Sequence, residues 1–226
     1  MHAKDTRPTL TDRHQRHERH YELWRWGGRL PSDRLRRARG SNVLGLLEFD
    51  TELVHALGPL APEVQRAVAL VAARRACEVS GLADMGWITP ALSALEAGRP
   101  LPSPFDDWDL MFQTLRANPP KEGPLVLGAI PPERPPFVPP ATDGAEVVTF
   151  PSVPRVPEPI NQPFFALPAV VAAAGADPLI AALDAVWHAI HTYGEHYPRL
   201  LEEIRSVYAE PAGEPDDAEA PSAGAE

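Results

Sequence analysis

The chain has 226 residues, enough for one large domain or two small ones. Apolar residues make up 44% of it, as in ordinary globular proteins, but its 28 prolines are more than twice the usual share of about 5%. Its one cysteine, Cys77, excludes an intrachain disulfide and any zinc site built from several cysteines of one chain.

The N-terminus is charged throughout and lacks the apolar centre of a secretory signal peptide. No apolar run reaches the roughly 18 residues that a membrane-spanning helix needs. We therefore expect a cytoplasmic protein that does not enter the membrane. The excess of arginine over lysine, 19 to 2, is typical of GC-rich bacterial genomes and is weak evidence for any ligand.

The net charge of −10 is unevenly distributed along the chain. Residues 1–39 carry 11 basic and 5 acidic side chains, whereas residues 40–226 carry 10 and 26, so the two parts have charges of +6 and −16. The sequence therefore predicts a basic arm or helix over residues 1–40. Residues 209–226 are acidic and poor in large apolar side chains, which predicts a disordered acidic tail.

Residues 41–118 have the apolar spacing of a block of helices. A capping residue followed by proline, or a closing glycine, marks most of the expected ends. The predicted helices are 46–57, ended by Gly58-Pro59; 62–80, ended by Gly81; one begun by Thr89-Pro90 and ended by Gly98; and one begun by Ser103-Pro104 and ended by Asn118-Pro119.

Residues 119–162 contain 13 prolines in 44 positions, a density that excludes a regular helix. Apolar residues are nevertheless spread through this stretch, so we predict an ordered extended segment that crosses the helical surface. Residues 125–130 and 146–150 are candidates for short strands and leave open a minor β-hairpin.

Residues 163–208 form the second helical block, with a helix begun by Asp177-Pro178 and a break at Pro198. We expect a helical hairpin that packs on the first block. The predicted fold is therefore all-α, with two helical blocks joined by the proline-rich segment.

His188, His191 and Glu195 form the best candidate metal site, because the spacing i, i+3 and i+7 places all three on one helix face. Two imidazoles and a carboxylate are a common catalytic metal set. Gly194 weakens the helix just before the carboxylate. A structural role for the histidines is the alternative, and no cofactor is predicted.

Two other clusters have simpler explanations. His14, His17 and His20 are spaced for a metal, but the arginines between them favour a solvated charged helix. Asp106 and Asp107 are expected near the positive end of a helix without any ligand.

Trp24, Trp26 and Trp108 are candidate partner-binding side chains, on the expectation that they are exposed. The N-terminal region also combines aromatic residues with arginines over residues 13–39, a mixture that single-stranded nucleic acid can use. The candidate phosphate-binding residues are Arg34, Arg36, Arg37 and Arg39. The acidic remainder of the chain opposes binding of a polyanion.

The sequence contains no phosphate-binding loop and no nucleophile elbow. The leading hypothesis is a non-catalytic module that binds an unknown protein partner, as an inhibitor, immunity-type protein, adaptor or regulator does. A metal-dependent helical enzyme and a nucleic-acid-binding protein are the alternatives.

Overall fold

The computed structural model of the chain describes residues 10–38, 41–121, 123–139 and 156–209. Over these ranges the protein is mainly helical and contains no β-strand, which confirms the predicted all-α fold. In chain order the helices are α1 (Leu10–Arg25), α2 (Asp33–Arg37), α3 (Ser41–Phe49), α4 (Thr51–Leu57), α5 (Pro62–Val79), α6 (Thr89–Glu96), α7 (Trp108–Ala117), α8 (Gln162–Ala173), α9 (Pro178–Tyr193) and α10 (Tyr197–Tyr208), with a 3₁₀ turn at Gly194–His196.

Both predicted ends of α5 and the predicted start of α9 are confirmed by their capping geometry. Helix α5 has Pro62 in its first turn and is followed by Gly81 at φ +72°, a backbone conformation that favours glycine. The Asp177 carboxylate accepts hydrogen bonds from the N–H groups of Leu179 and Ile180 at 2.8 and 3.1 Å, so it caps α9 as the sequence pattern indicated.

Two predicted helices of the first block are wrong in their bounds. The expected helix 46–57 is divided at Asp50, whose extended backbone ends α3 and whose carboxylate accepts a hydrogen bond from the N–H of Leu53 at 2.9 Å. The helix expected to begin at Ser103-Pro104 begins instead at Trp108. Asp107 is its cap, because its carboxylate accepts from the N–H of Leu110 at 3.0 Å.

The break in the second block lies earlier than predicted. Gly194 has φ +57° and ends α9, whereas Pro198 sits in the first turn of α10, where its missing N–H costs nothing. In the described part of the chain, Leu127 of the first candidate strand forms one antiparallel bridge, and its partner is Pro159. Residues 146–150 lie outside the described residues, as does the predicted tail from residue 210 onwards.

The core is built around α5, α8 and α9, which pack against one another along most of their lengths. Their facing surfaces are rich in buried alanine, and such small side chains allow helix axes to approach closely. Helix α3 lies against α9, and α10 lies against both α5 and α9. The buried alanines are Ala69, Ala72, Ala73 and Ala76 on α5; Ala166, Ala169 and Ala173 on α8; and Ala181, Ala182, Ala185 and Ala189 on α9.

The basic N-terminal region is not a free arm. Trp26 and Leu35 are fully buried in the same core as the central helices. A polar network supports this attachment: Arg34 donates to the Gln65 side-chain oxygen at 2.8 Å, and Gln65 donates to the Leu57 carbonyl at 2.8 Å. Residues 26–38 therefore belong to the folded body.

The contact between α3 and α9 yields a stability prediction. A Cβ added at Gly45 would lie 2.4 Å from Cη2 of Trp187, far closer than carbon atoms can approach. We expect Gly45→Ala to lower the free energy of unfolding by about 1–3 kcal/mol, as overpacked core sites do. Urea unfolding monitored by circular dichroism measures the change.

Gly86→Ala is the matched control, because a Cβ at Gly86 meets no atom within 4 Å. Equal stability of the two variants would contradict the close packing of Gly45 on Trp187.

Candidate functional site

The described surface contains a groove of about 740 Å³. It lies where the C-terminal ends of α5 and α7 meet the N-terminal end of α8, and Pro119, Pro120 and Pro124 form one wall. We call it the α5–α7–α8 groove. Its apolar lining includes Val79, Leu115, Leu125, Ile160 and Phe164.

An aromatic row continues from this groove along α7. The rings of Trp108 and Phe112 lie 5.2 Å apart between centroids, and those of Phe112 and Phe164 lie 5.2 Å apart and stacked. Trp108 is 52% exposed and Phe164 38% exposed. Because Phe164 also lines the groove, the row and the groove form one continuous apolar surface.

The charged side chains of the groove are predominantly basic. Arg116 and Lys121 line it and are exposed, and neither forms an ion pair with another described residue. Glu78 also lines the groove, but its carboxylate lies 2.6 Å from the guanidinium of Arg75. The groove itself therefore presents two cations, whereas the end of the aromatic row at Trp108 is flanked by the exposed carboxylates of Asp106, Asp107 and Asp109.

The groove residues come from three distant parts of the sequence. The sequence analysis identified Trp108 but assigned no role to Phe112, Phe164, Arg116 or Lys121. The sequence contained one clue to the groove. Leu125 and Phe164 are large apolar residues that follow prolines, and a large apolar residue in such a position need not be buried.

The structure does not bring His188, His191 and Glu195 together as a metal-binding group. Among the described residues, no set of three or more His, Cys, Asp or Glu side chains is placed to hold a metal ion. The physical reason is that α9 ends at Gly194, so Glu195 leaves the helix face that carries the two histidines.

Glu195 instead anchors the proline-rich segment. Its backbone N–H donates to the Leu127 carbonyl at 2.9 Å, and its carboxylate accepts from the Leu127 N–H at 3.4 Å. A Cβ at Gly194 would lie 2.0 Å from that same carbonyl, so this turn needs glycine both for its φ and for the close approach.

The two histidines of α9 lie in apolar surroundings. His191 packs edge-on against the Trp187 ring at 4.1 Å and also contacts the rings of Phe49 and Phe165. Burial lowers the pKa of His188 to about 4, with a smaller contribution from repulsion by His191, and burial also lowers the pKa of His191. Both imidazoles are therefore neutral at pH 7.

The three candidate tryptophans occupy different environments. Trp108 is exposed, as expected. Trp26 is 0% exposed, so the expectation that it lies on the surface is wrong; its ring fills the core and its carbonyl pairs with the His55 imidazole at 2.9 Å. Trp24 is half-buried, because residues 134–138 of the proline-rich segment cover it.

Arginines predicted to bind phosphate have structural partners. Arg34 donates to Gln65, and Arg36 forms ion pairs with Glu22 and Asp33 at 3.4 and 3.7 Å. Arg37 is exposed, and Arg39 lies outside the described residues. Two of the four side chains are thus engaged within the protein.

No family model, curated protein or solved structure matches this chain. Among the described helices, none is both long and apolar enough to cross a bilayer.

The depressed histidine pKa values predict how stability depends on pH. In the unfolded chain histidine titrates near 6.5, so between pH 6.5 and about 4 the unfolded state binds protons that the folded state excludes. Stability should therefore fall as the pH is lowered through this range. In a His188→Gln, His191→Gln double variant the fall should be smaller.

Urea unfolding at pH 7.5, 5.5 and 4.5 measures this difference. Identical losses of unfolding free energy in the variant and the parent chain would show that neither imidazole is held neutral by the fold.

Proposed function

We propose that the protein is a non-catalytic binding module of the cytoplasm whose α5–α7–α8 groove and aromatic row take an acidic segment of a partner protein. The single observation that supports this most strongly is the continuity of exposed Trp108 and Phe164 with a 740 Å³ groove. Large apolar side chains scattered over a surface are ordinary, whereas a contiguous patch beside a cleft is typical of interaction sites.

The apolar part of the surface supplies affinity. Leu125 is 74% exposed and lines the groove together with Phe164. Burial of such side chains by a partner contributes roughly 25 cal/mol per Å² of apolar area before the costs of association. Aromatic residues are also the most frequent energetic anchors of protein interfaces.

The charges of the groove indicate the chemistry of the partner. Arg116 and Lys121 would face an occupant of the groove, and Glu78 pairs with Arg75, which also pairs with Glu203. A segment with one or two acidic residues between apolar anchors complements this surface. A basic segment would be favoured by the net charge of the chain but repelled at the groove itself.

The groove can be tested with a displayed library of random peptides selected against the full-length chain. We expect selected peptides to combine acidic residues with aromatic or aliphatic anchors. Phe164→Ala should weaken their binding about 10- to 30-fold, as loss of an interface anchor does. Calorimetry or fluorescence anisotropy gives the dissociation constants.

Ile180→Ala is the matched control, because Ile180 is as exposed as Phe164, 39% against 38%, but lies on α9 and does not line the groove. It should leave peptide affinity unchanged. Arg116→Glu with Lys121→Glu should abolish the preference for acidic peptides. Selected peptides that bind the Phe164→Ala chain as tightly as the parent would refute the groove as the binding site.

A further inference from the structure

A second surface of the protein is already occupied by the chain itself. Residues 134–138, Arg-Pro-Pro-Phe-Val, run across the aromatic face of α1. We call these five residues the strap. Unlike α5, α8 and α9, helix α1 makes no extensive contact with another helix of the described structure, so the strap is one of its main supports.

Strap carbonyls accept hydrogen bonds from ring nitrogens of α1. The Trp24 indole Nε1–H donates to the Pro135 carbonyl at 2.8 Å, and His20 Nε2 lies 3.1 Å from the Val138 carbonyl, for which it must be the donor. His20 and Trp24 are four residues apart on one helix face, while the two carbonyls are three residues apart. A three-residue repeat is that of a polyproline II segment.

Phe137 is the apolar anchor of the strap. Its ring centroid lies 5.2 Å from that of Tyr21 and 5.6 Å from that of Trp24, and it also contacts the rings of His17 and His20. Four α1 rings thus surround one side chain of the strap. An aromatic-lined surface with an indole donor is how proteins recognise proline-rich ligands.

Arg134 provides the polar anchor. Its guanidinium lies 5.2 Å from the centre of the Trp24 ring and donates to the carbonyls of Trp24 and Arg25 at 2.7 and 3.3 Å and to the Leu47 carbonyl of α3 at 3.4 Å. The Trp24 and Arg25 carbonyls lie in the last turn of α1, which favours a cation. The contact is specific for arginine, because one planar group both stacks on the ring and bonds to three carbonyls.

The strap lies outside the core. Neither Trp24 nor Phe137 belongs to the buried cluster, and the hydrogen bonds of Trp24 and His20 to the strap are exposed to solvent. The chain is fastened separately at Leu127 and Gly128, upstream of the strap. Within the described residues, the strap reaches the body behind α1 through the hydrogen bond from Arg134 to the Leu47 carbonyl. Release of residues 134–138 would break that bond but would leave the apolar core and the α5–α7–α8 groove in place.

From these contacts we infer that the aromatic face of α1 is a recognition site for proline-rich segments, and that the strap fills it in competition with a partner protein. The partner's segment carries arginine followed by two prolines and an aromatic residue. The site is independent of the groove proposed above. Since the strap is tethered, its effective concentration is on the order of millimolar, and an outside ligand binds weakly until the strap is released.

The test uses a fluorescent peptide of residues 131–139 and the full-length chain. An Arg134→Ala, Phe137→Ala variant removes both anchors of the strap and should bind the peptide at least about tenfold more tightly than the parent chain. Adding Trp24→Ala to this variant should abolish binding, whereas adding Trp108→Ala should not. A peptide in which the arginine and phenylalanine are alanine should not bind.

Circular dichroism establishes that the variants keep their helix content. Equal peptide affinity for the parent and the strap variant, or binding that survives Trp24→Ala, would overturn the inference. Binding of this peptide that is unchanged by Trp108→Ala shows that the peptide does not use the aromatic row. The α5–α7–α8 groove is tested separately, with the peptides selected from the library.

A second measurement needs only a mild variant. The chain has five tryptophans, and Trp24→Phe assigns the indole N–H resonance of Trp24 in a ¹H–¹⁵N spectrum. Phe137→Ala should move that resonance toward the position of a solvent-exposed indole and leave those of Trp26, Trp87 and Trp187 in place. An unmoved Trp24 resonance would show that the strap does not occupy this face.

Discussion

The close packing of α5, α8 and α9 through alanine is the constraint on which the other features depend. Small side chains at the centre let three helices bury one another with little interior volume. Larger buried side chains accompany the alanines on the same helices, such as Leu167 on α8 and Leu183 on α9. Trp187 of α9 fills the space that Gly45 leaves on α3.

This arrangement explains why the protein offers no polar cleft in its described helical core. The buried polar side chains serve the backbone: His55 pairs with the Trp26 carbonyl, and Gln65 pairs with the Leu57 carbonyl. Arg66 similarly donates to carbonyls at the end of α8 and in the loop that follows it. Both surfaces that we propose for partner binding lie where the proline-rich segment meets the helices.

The fold class and the limits of some helices were predictable because they depend on local chemistry. Asp177-Pro178 caps α9 by hydrogen bonds within one turn, and Gly81 ends α5 through its own φ. The division at Asp50 was missed, since the apolar spacing continues across it. The burial of Trp26 was also missed, because it depends on packing with residues distant in sequence, such as His55.

The candidate site could be predicted only in part. Trp108 was identified because an exposed aromatic residue next to acidic ones is visible locally. Phe164 lies 52 positions from Phe112, and only the packing of α8 on α7 stacks their rings. No periodicity within one segment contains that information. The role of Glu195 could not be predicted either, because its hydrogen bonds to Leu127 depend on the path of the proline-rich segment, which has no helical pattern.

The proline-rich segment supports both surfaces because its backbone lacks the internal hydrogen bonds of a helix or sheet. Each of its carbonyls that lies near the body must find a donor there. Leu127 finds the N–H of Glu195, and Pro135 finds the indole of Trp24. Because these donors lie at a few fixed points, one part of the segment forms a wall of the groove and another part forms the strap, which we propose a partner can replace. The chain thus combines a rigid helical body with a segment whose attachment is discrete, and discrete attachments can be exchanged one at a time without unfolding the core.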